Sequence, residues 1–173
     1  MLLPRDHFRF CPRCGTGPRE PQTWPAFQCA RCAFVYYFNP TVAVAAFVQR
    51  PGGEVLFIRR AHEPAKGKLA LPGGFVDIGE TAEVALRREI REEVGLEVGR
   101  LEFLGSETNE YCYREVRYPV LDLFFETAAA APHQAAALDG VEALCWLDPR
   151  AVASADIAFV TIRRALAAYV RRG

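Results

Sequence analysis

The chain has 173 residues, of which 51% are hydrophobic and 24% charged, with 21 basic against 21 acidic side chains. That is length for one well-buried core and a small appendage at ordinary globular composition. The balanced charge argues against an electrostatic nucleic-acid track and against an acidic disordered tail, so nucleic acid is not expected as a partner.

The chain opens MLLPRDHFRF, with charges directly after two leucines. This opening lacks the apolar stretch of a signal peptide. The most apolar run, residues 42–48, is far too short to span a bilayer. A cytoplasmic location, no membrane partner and cysteines outside disulfides are therefore expected. Residues 1–38 differ from the rest: they hold four of the six cysteines, several prolines and little apolar periodicity. They are expected to form one small domain and residues 39–173 a second. The boundary falls at Asn39-Pro40, because proline pushes the residue before it towards extended geometry.

Residues 41–49 and 54–60 are apolar runs joined across Pro51-Gly52-Gly53 and predict a β-hairpin. Residues 69–71 predict a short strand, stopped by Pro72-Gly73-Gly74. Residues 81–94 predict a helix ended by Gly95 and capped at its start by Thr81 or Asp77. Strands are predicted at 102–107, 110–117 and 120–127, the last two as a hairpin. Alanine-rich residues 128–138 predict a loop, and residues 141–147 a strand. Residues 157–172 predict an amphipathic helix with Ile157, Val160, Ala165, Leu166, Tyr169 and Val170 near one face. This order predicts an α/β fold, a mixed sheet flanked by helices.

Cys11-x2-Cys14 and Cys29-x2-Cys32 are separated by fourteen residues. Each pair suits half of a tetrahedral zinc site, and the intervening loop brings the halves together. Thiolates suit zinc, and metal binding replaces the core that so short a segment cannot build. Four thiolates leave no open position for water, so the zinc is expected to be structural. Cys112 and Cys145 stand alone in predicted strands and read as small buried hydrophobes.

On a helical wheel with Ala82 at zero, Leu86 falls at about 40° and Ile90 at about 80°, in the buried stripe. Glu89 falls at about −20° and Glu93 at about 20°, inside it, while Glu83, Arg87 and Arg91 fit a solvated face. An inward carboxylate without a partner is costly. Several together call for a divalent cation, and oxygen donors suit Mg²⁺ or Mn²⁺. Glu92 lies on the flank, four residues from Arg88, which is placed to pair with Glu92 or to hold Glu89. The glycines at 73 and 74 let a ligand approach the backbone directly before this helix.

Gly74, five residues, Glu80, seven residues, Arg88-Glu89-Ile90, one residue, Glu92-Glu93, one residue, Gly95-Leu96 resembles the Nudix box at every defined position. The resemblance extends from Thr41 to about Arg172. It implies a Nudix α/β/α sandwich preceded by a zinc ribbon, and attack of water on a phosphorus of a nucleoside diphosphate derivative. It also implies Glu89, Glu92 and Glu93 as ligands of the catalytic cation, Glu89 as a base, Arg88 as the residue orienting Glu89, and the Gly74 carbonyl as a further ligand. A ribbon directly before the box is similar to the layout of NADH pyrophosphatases. Their downstream Ser-Gln-Pro-Trp-Pro-Phe-Pro signature is absent, and the segment from Leu104 is more similar to ADP-ribose and nucleoside-diphosphate-sugar hydrolases.

The expected partner is thus a small nucleotide: ADP-ribose, NADH or a nucleotide sugar. Arg59, Arg60 and Tyr111 are the candidate substrate-binding residues, by phosphate contact and base stacking. Lys66, Lys68, Tyr113 and Tyr118 are weaker candidates of the same kinds. Glu107, Glu110, Glu126 and Glu142 are candidates for a last ligand or base. The alternative is a non-catalytic nucleotide-sensing module, which would be expected to lose carboxylates that this chain keeps. An RNA-capturing ribbon is disfavoured by the neutral charge and the few basic residues in 1–38. Packing on the Nudix domain or a homodimer contact is the expected use of the ribbon.

Overall fold

The computed structural model describes residues 3–17 and 26–172. Its contacts group the chain into two compact units, residues up to Thr41 with Glu110–Val120, and Val42–Asn109 with the residues from Leu121 onward.

In the first unit, β1 (Ala26–Gln28) and β2 (Val35–Tyr37) pair antiparallel, with Phe27 opposite Tyr36. Phe8 lies 5.1 Å from Tyr36, 4.8 Å from Phe38 and 5.7 Å from Phe27 between ring centroids, a small aromatic core for a segment with few aliphatics.

The chain also forms a seven-stranded sheet, most of it in the second unit. Its strands are β3 (Thr41–Gln49), β4 (Val55–Arg60), β5 (Leu69–Ala70), β6 (Gly73–Phe75), β7 (Glu102–Tyr113), β8 (Val116–Ala128) and β9 (Val141–Leu147). The main path runs β5-β4-β3-β8-β7, with β6 paired to β3 and β9 to β4. Two helices complete it, α1 (Ala82–Val94) and α2 (Val160–Arg172). Phe47, Leu56, Phe57, Leu86, Ile90 and Ile157 are among the fully buried side chains of one apolar cluster.

Several expectations need correction. The hairpin of β3 and β4 is paired beside its turn, Gln49 with Val55, while β6 takes Ala43, Val44 and Ala45 of β3 and β5 takes Ile58 and Arg59 of β4. Pro72-Gly73-Gly74 does not only stop a strand, since Gly73–Phe75 is itself the strand β6. The strands expected at 102–107, 110–117 and 120–127 are two long ones that turn at Arg114-Glu115, both with positive φ. Positive φ at two neighbours is the turn that Asn-Gly usually announces, and Arg-Glu carries no such signal. The last helix starts at Val160 rather than 157, and its buried residues are Thr161, Ile162 and Leu166, while Val160 is exposed. Cys112 is exposed rather than buried, two residues before that turn.

Candidate metal and phosphate site

Thr81 caps α1 through its hydroxyl, which accepts from the Val84 N–H, and Gly95 ends the helix in the left-handed conformation. Along α1 the buried residues are Ala85, Leu86, Ile90 and Val94. Glu89 and Glu93 are largely covered, whereas Glu83 is exposed, as the wheel expects. The Gly73 N–H donates to Glu93 Oε2 at 2.9 Å. Gly73 stands at φ 145, and a Cβ there would meet the Val44 carbonyl oxygen at 2.1 Å, so β6 reaches β3 only as glycine. At Gly74 a Cβ would lie 2.5 Å from the Glu89 carboxylate. The glycine pair and the two glutamates thus share one small volume.

Arg88 organises the acids around it. Its Nε and Nη2 donate to the two carboxylate oxygens of Glu80 at 2.8 and 3.0 Å. Its Nη1 donates to Glu89 Oε1 at 2.8 Å and to Glu92 Oε2 at 3.0 Å, and Nη2 reaches the Phe75 carbonyl at 3.1 Å. Both expected pairings of Arg88 are therefore present. Glu80 was missed as the anchor of Arg88. Its place before the helix gives it no angle on a wheel, and only its position in the box marks it.

The electrostatics separate these carboxyls. Arg88 holds the Glu80 carboxyl below the usual range. Burial raises Glu89 despite the Arg88 hydrogen bond. Burial pushes Glu93 up to about 8, against the Gly73 N–H and the charge of Arg60, with Glu89 adding to the rise. A second buried acid was also missed: burial raises Asp122 on β8, to which the Asn109 amide donates at 3.0 Å. Its only sequence signal is an acid at an inward position of an apolar strand.

The other candidates are placed as follows. Arg59 donates to the Gly67 carbonyl, Arg60 Nε to the Pro64 carbonyl at 2.9 Å and Lys68 Nζ to the Ala155 carbonyl at 3.0 Å. The Arg60 guanidinium also lies 5.1 Å from the Phe159 ring centroid. Tyr111, Tyr113 and Tyr118 belong to the unit that contains the ribbon. Glu107 pairs with Arg164, Glu110 with Arg117 and Glu126 with Gln49, while Glu142 is exposed on β9. Among the described residues, the four cysteines are the one group of three or more ligand-type side chains whose donor atoms all lie within 4.8 Å of one another. Sγ of Cys11 lies 3.7 Å from that of Cys32, and Sγ of Cys14 3.7 Å from that of Cys29. The two turns match, with Gly15 N–H donating to the Cys11 carbonyl and Ala33 N–H to the Cys29 carbonyl, and with positive φ at both Gly15 and Ala33. Hydrogen bonds from Thr16 pull the Cys14 thiol down to about 6.

The comparison with protein families decides the identity of the larger unit: a family model described as NUDIX domain matches residues 39–169. The chain belongs to the Nudix family. Solved Nudix structures agree, among them a NUDIX hydrolase from Nitrosomonas europaea with a TM-score of 0.72 at 26% identity, covering 95% of this chain and 91% of that one. Curated relatives include the NAD-capped RNA hydrolase NudC of Pseudomonas aeruginosa, 38% identical over 101 residues, which are 58% of this chain and 36% of that protein. The ADP-ribose pyrophosphatase of Methanocaldococcus jannaschii is 50% identical over 60 residues, 35% of each chain. The match thus spans little more than a third of the length of either relative. The Nudix fold expected from the box is present as a sheet with two helices, and the four cysteines cluster as a ribbon requires. Among the described residues no helix is long and apolar enough to cross a membrane.

Proposed function

We propose that this Nudix protein is a divalent-cation-dependent hydrolase that cleaves the diphosphate linkage of a nucleoside diphosphate derivative, giving a nucleoside monophosphate and a phosphorylated remainder. The observation that carries the reading is the convergence of two largely covered glutamates, Glu89 and Glu93, on the Gly73-Gly74 strand. The donor set consists of oxygens, and burial raises both carboxyls, so the residues fit a hard cation such as Mg²⁺ or Mn²⁺. Glu89, Glu92, Glu93 and the Gly74 carbonyl would hold it. A bound cation of this kind offsets the negative charge of a diphosphate and lowers the pKa of a coordinated water.

Within the chain, Arg88 fixes Glu89 through Nη1 while the two oxygens of Glu80 fix Arg88. Glu89 is thereby positioned to take the proton from the attacking water. Arg59 and Arg60 remain the proposed phosphate contacts, which would require them to leave the carbonyls of Gly67 and Pro64. Tyr111 remains the proposed stacking residue. ADP-ribose is the first substrate to test, given the Methanocaldococcus relative, with NADH and nucleotide sugars next.

The four cysteines would hold a structural Zn²⁺. In a tetrahedral site with Zn–S of 2.3 Å, neighbouring sulfurs stand roughly 3.8 Å apart, and two sulfur pairs here stand at 3.7 Å. The protein is expected to work in the cytoplasm, where thiols stay reduced.

The test is a substrate panel with Mg²⁺ or Mn²⁺, with products separated by chromatography and metal content measured in parallel. Mononucleotide release from one of the diphosphates, with about one zinc per chain, is expected. A folded, zinc-loaded protein that cleaves none of them overturns the hydrolase reading.

A further inference from the structure

A cleft of about 270 Å³ opens in the larger unit, at the far end of β3 from the Gly73-Gly74 strand. Val44 pairs with Gly74, and Gln49, which lines the cleft, stands roughly 16 Å further along β3 at the strand rise of about 3.3 Å per residue. Three polar side chains of the lining form a network. Gln49 Nε2 donates to Glu126 Oε1 at 2.6 Å and also to the Tyr169 hydroxyl oxygen. Burial raises the Tyr169 hydroxyl, and the neighbouring Glu126 adds to the rise. The groups that hold this half-buried carboxylate are neutral, so its charge is solvated by the network but not offset.

Two guanidinium groups line the same cleft, Arg150 after β9 and Arg172 at the end of α2. Arg172 Nη2 donates to the Leu104 carbonyl at 2.9 Å, which orients the group without offsetting its charge. Among the described residues, none of Arg150, Arg172 and Glu126 takes part in an ion pair. Opposite charges that border one cleft without meeting suit a ligand that carries both signs. A carboxylate on the ligand suits the guanidinium groups, and an ammonium group suits Glu126. Pro149 and Val170 add apolar wall for a hydrocarbon side chain. An α-amino acid holds these three parts on one carbon.

We propose that this cleft binds a free α-amino acid with an apolar side chain, its carboxylate on Arg150 and Arg172 and its ammonium group on Glu126. A plain anion would meet the Glu126 charge, and a plain cation would meet two guanidinium groups, so each is the poorer occupant. The site stands apart from the proposed cation ligands and does not rest on the hydrolase reading.

Binding is measured by isothermal titration calorimetry on the full, zinc-loaded chain, with L-valine, L-leucine and L-phenylalanine and no nucleotide present. Saturable binding of at least one is expected. Its analogue without the amino group (4-methylpentanoate for leucine) and its analogue without the carboxylate (3-methylbutylamine for leucine) should each bind about tenfold or more weakly. Glu126→Gln should weaken the amino acid about tenfold or more and erase its advantage over the analogue without the amino group. Arg150→Gln should do the same against the analogue without the carboxylate. A merely structural role for either side chain would not erase one advantage and spare the other. Arg150 is exposed, so its variant carries the test if Glu126→Gln misfolds. No binding by any of these amino acids, an analogue as tight as its parent, or wild-type binding by Arg150→Gln overturns the proposal. ADP-ribose hydrolysis by the same preparation with none of this binding overturns the proposal and leaves the hydrolase reading intact.

Discussion

At Glu93, burial and ionisation oppose each other. Its carboxyl rises from an ordinary 4.5 to about 8, so without a cation the folded chain keeps a proton that the unfolded chain loses. The native state then binds more protons between those values, and stability falls as pH rises through the window. Zinc-loaded protein without Mg²⁺ should melt at higher temperature at pH 5 than at pH 8, with a slope on the order of 1 kcal/mol per pH unit. Glu93→Gln should flatten that slope, and an unchanged slope in the variant would remove Glu93 as its cause. With Mg²⁺ limiting, the same variant should lose roughly three orders of magnitude in turnover, while exposed Glu83→Gln changes little. Gly74→Ala should fold, because its Cβ meets the movable end of Glu89, yet it should lose activity by displacing that carboxylate. Gly73→Ala meets the backbone of Val44 and should lower the melting temperature sharply. The helical wheel made Glu89 and Glu93 legible in the sequence, because an amphipathic helix repeats at a known angle. Asp122 stayed hidden because a partly buried strand offers only alternation, which one acid barely disturbs.

Among the elements, boundaries were legible where a side chain enforces them. Thr81 and Gly95 bracket α1 by capping, and β3 and β9 run from end to end of their apolar stretches. The turn at Arg114-Glu115 was not legible, because its backbone is held by the two long strands on either side rather than by its own residues. Both residues stand at positive φ, 43 and 68. Replacing them with Asn-Gly should therefore stabilise the protein by about 1 kcal/mol, since the turn would no longer oppose the preference of its residues. Urea unfolding would read this as a higher midpoint at constant slope, and a lower midpoint would show that the arginine or glutamate side chain itself holds the tip. Thr81→Ala should cost about 1 kcal/mol by leaving the Val84 N–H without its cap.

For the whole molecule, the class of fold and the family were legible because box, cysteine pairs and apolar runs agree. The grouping of residues 110–120 with the ribbon was not, since it depends on contacts far apart in sequence. If zinc holds the ribbon, a strong chelator should open cleavage sites for protease within residues 26–41 and leave the core of Phe47, Phe57 and Leu86 intact. Protection that survives complete zinc loss would show that the aromatic cluster around Phe8 suffices. The segment after β8 adds another consequence. The N–H groups of Ala136, Leu138 and Asp139 donate to the carbonyls of Val94, Glu93 and Glu92, closing the C-terminal end of α1 from outside. Two of those carbonyls belong to residues whose side chains are the proposed cation ligands. Seating a cation on the carboxylates should therefore tighten the backbone beneath them, and with it this clasp. Hydrogen exchange at Ala136 and Leu138 should slow when Mg²⁺ is added, which makes an alanine-rich segment with no catalytic side chain of its own a reporter of events at the cation.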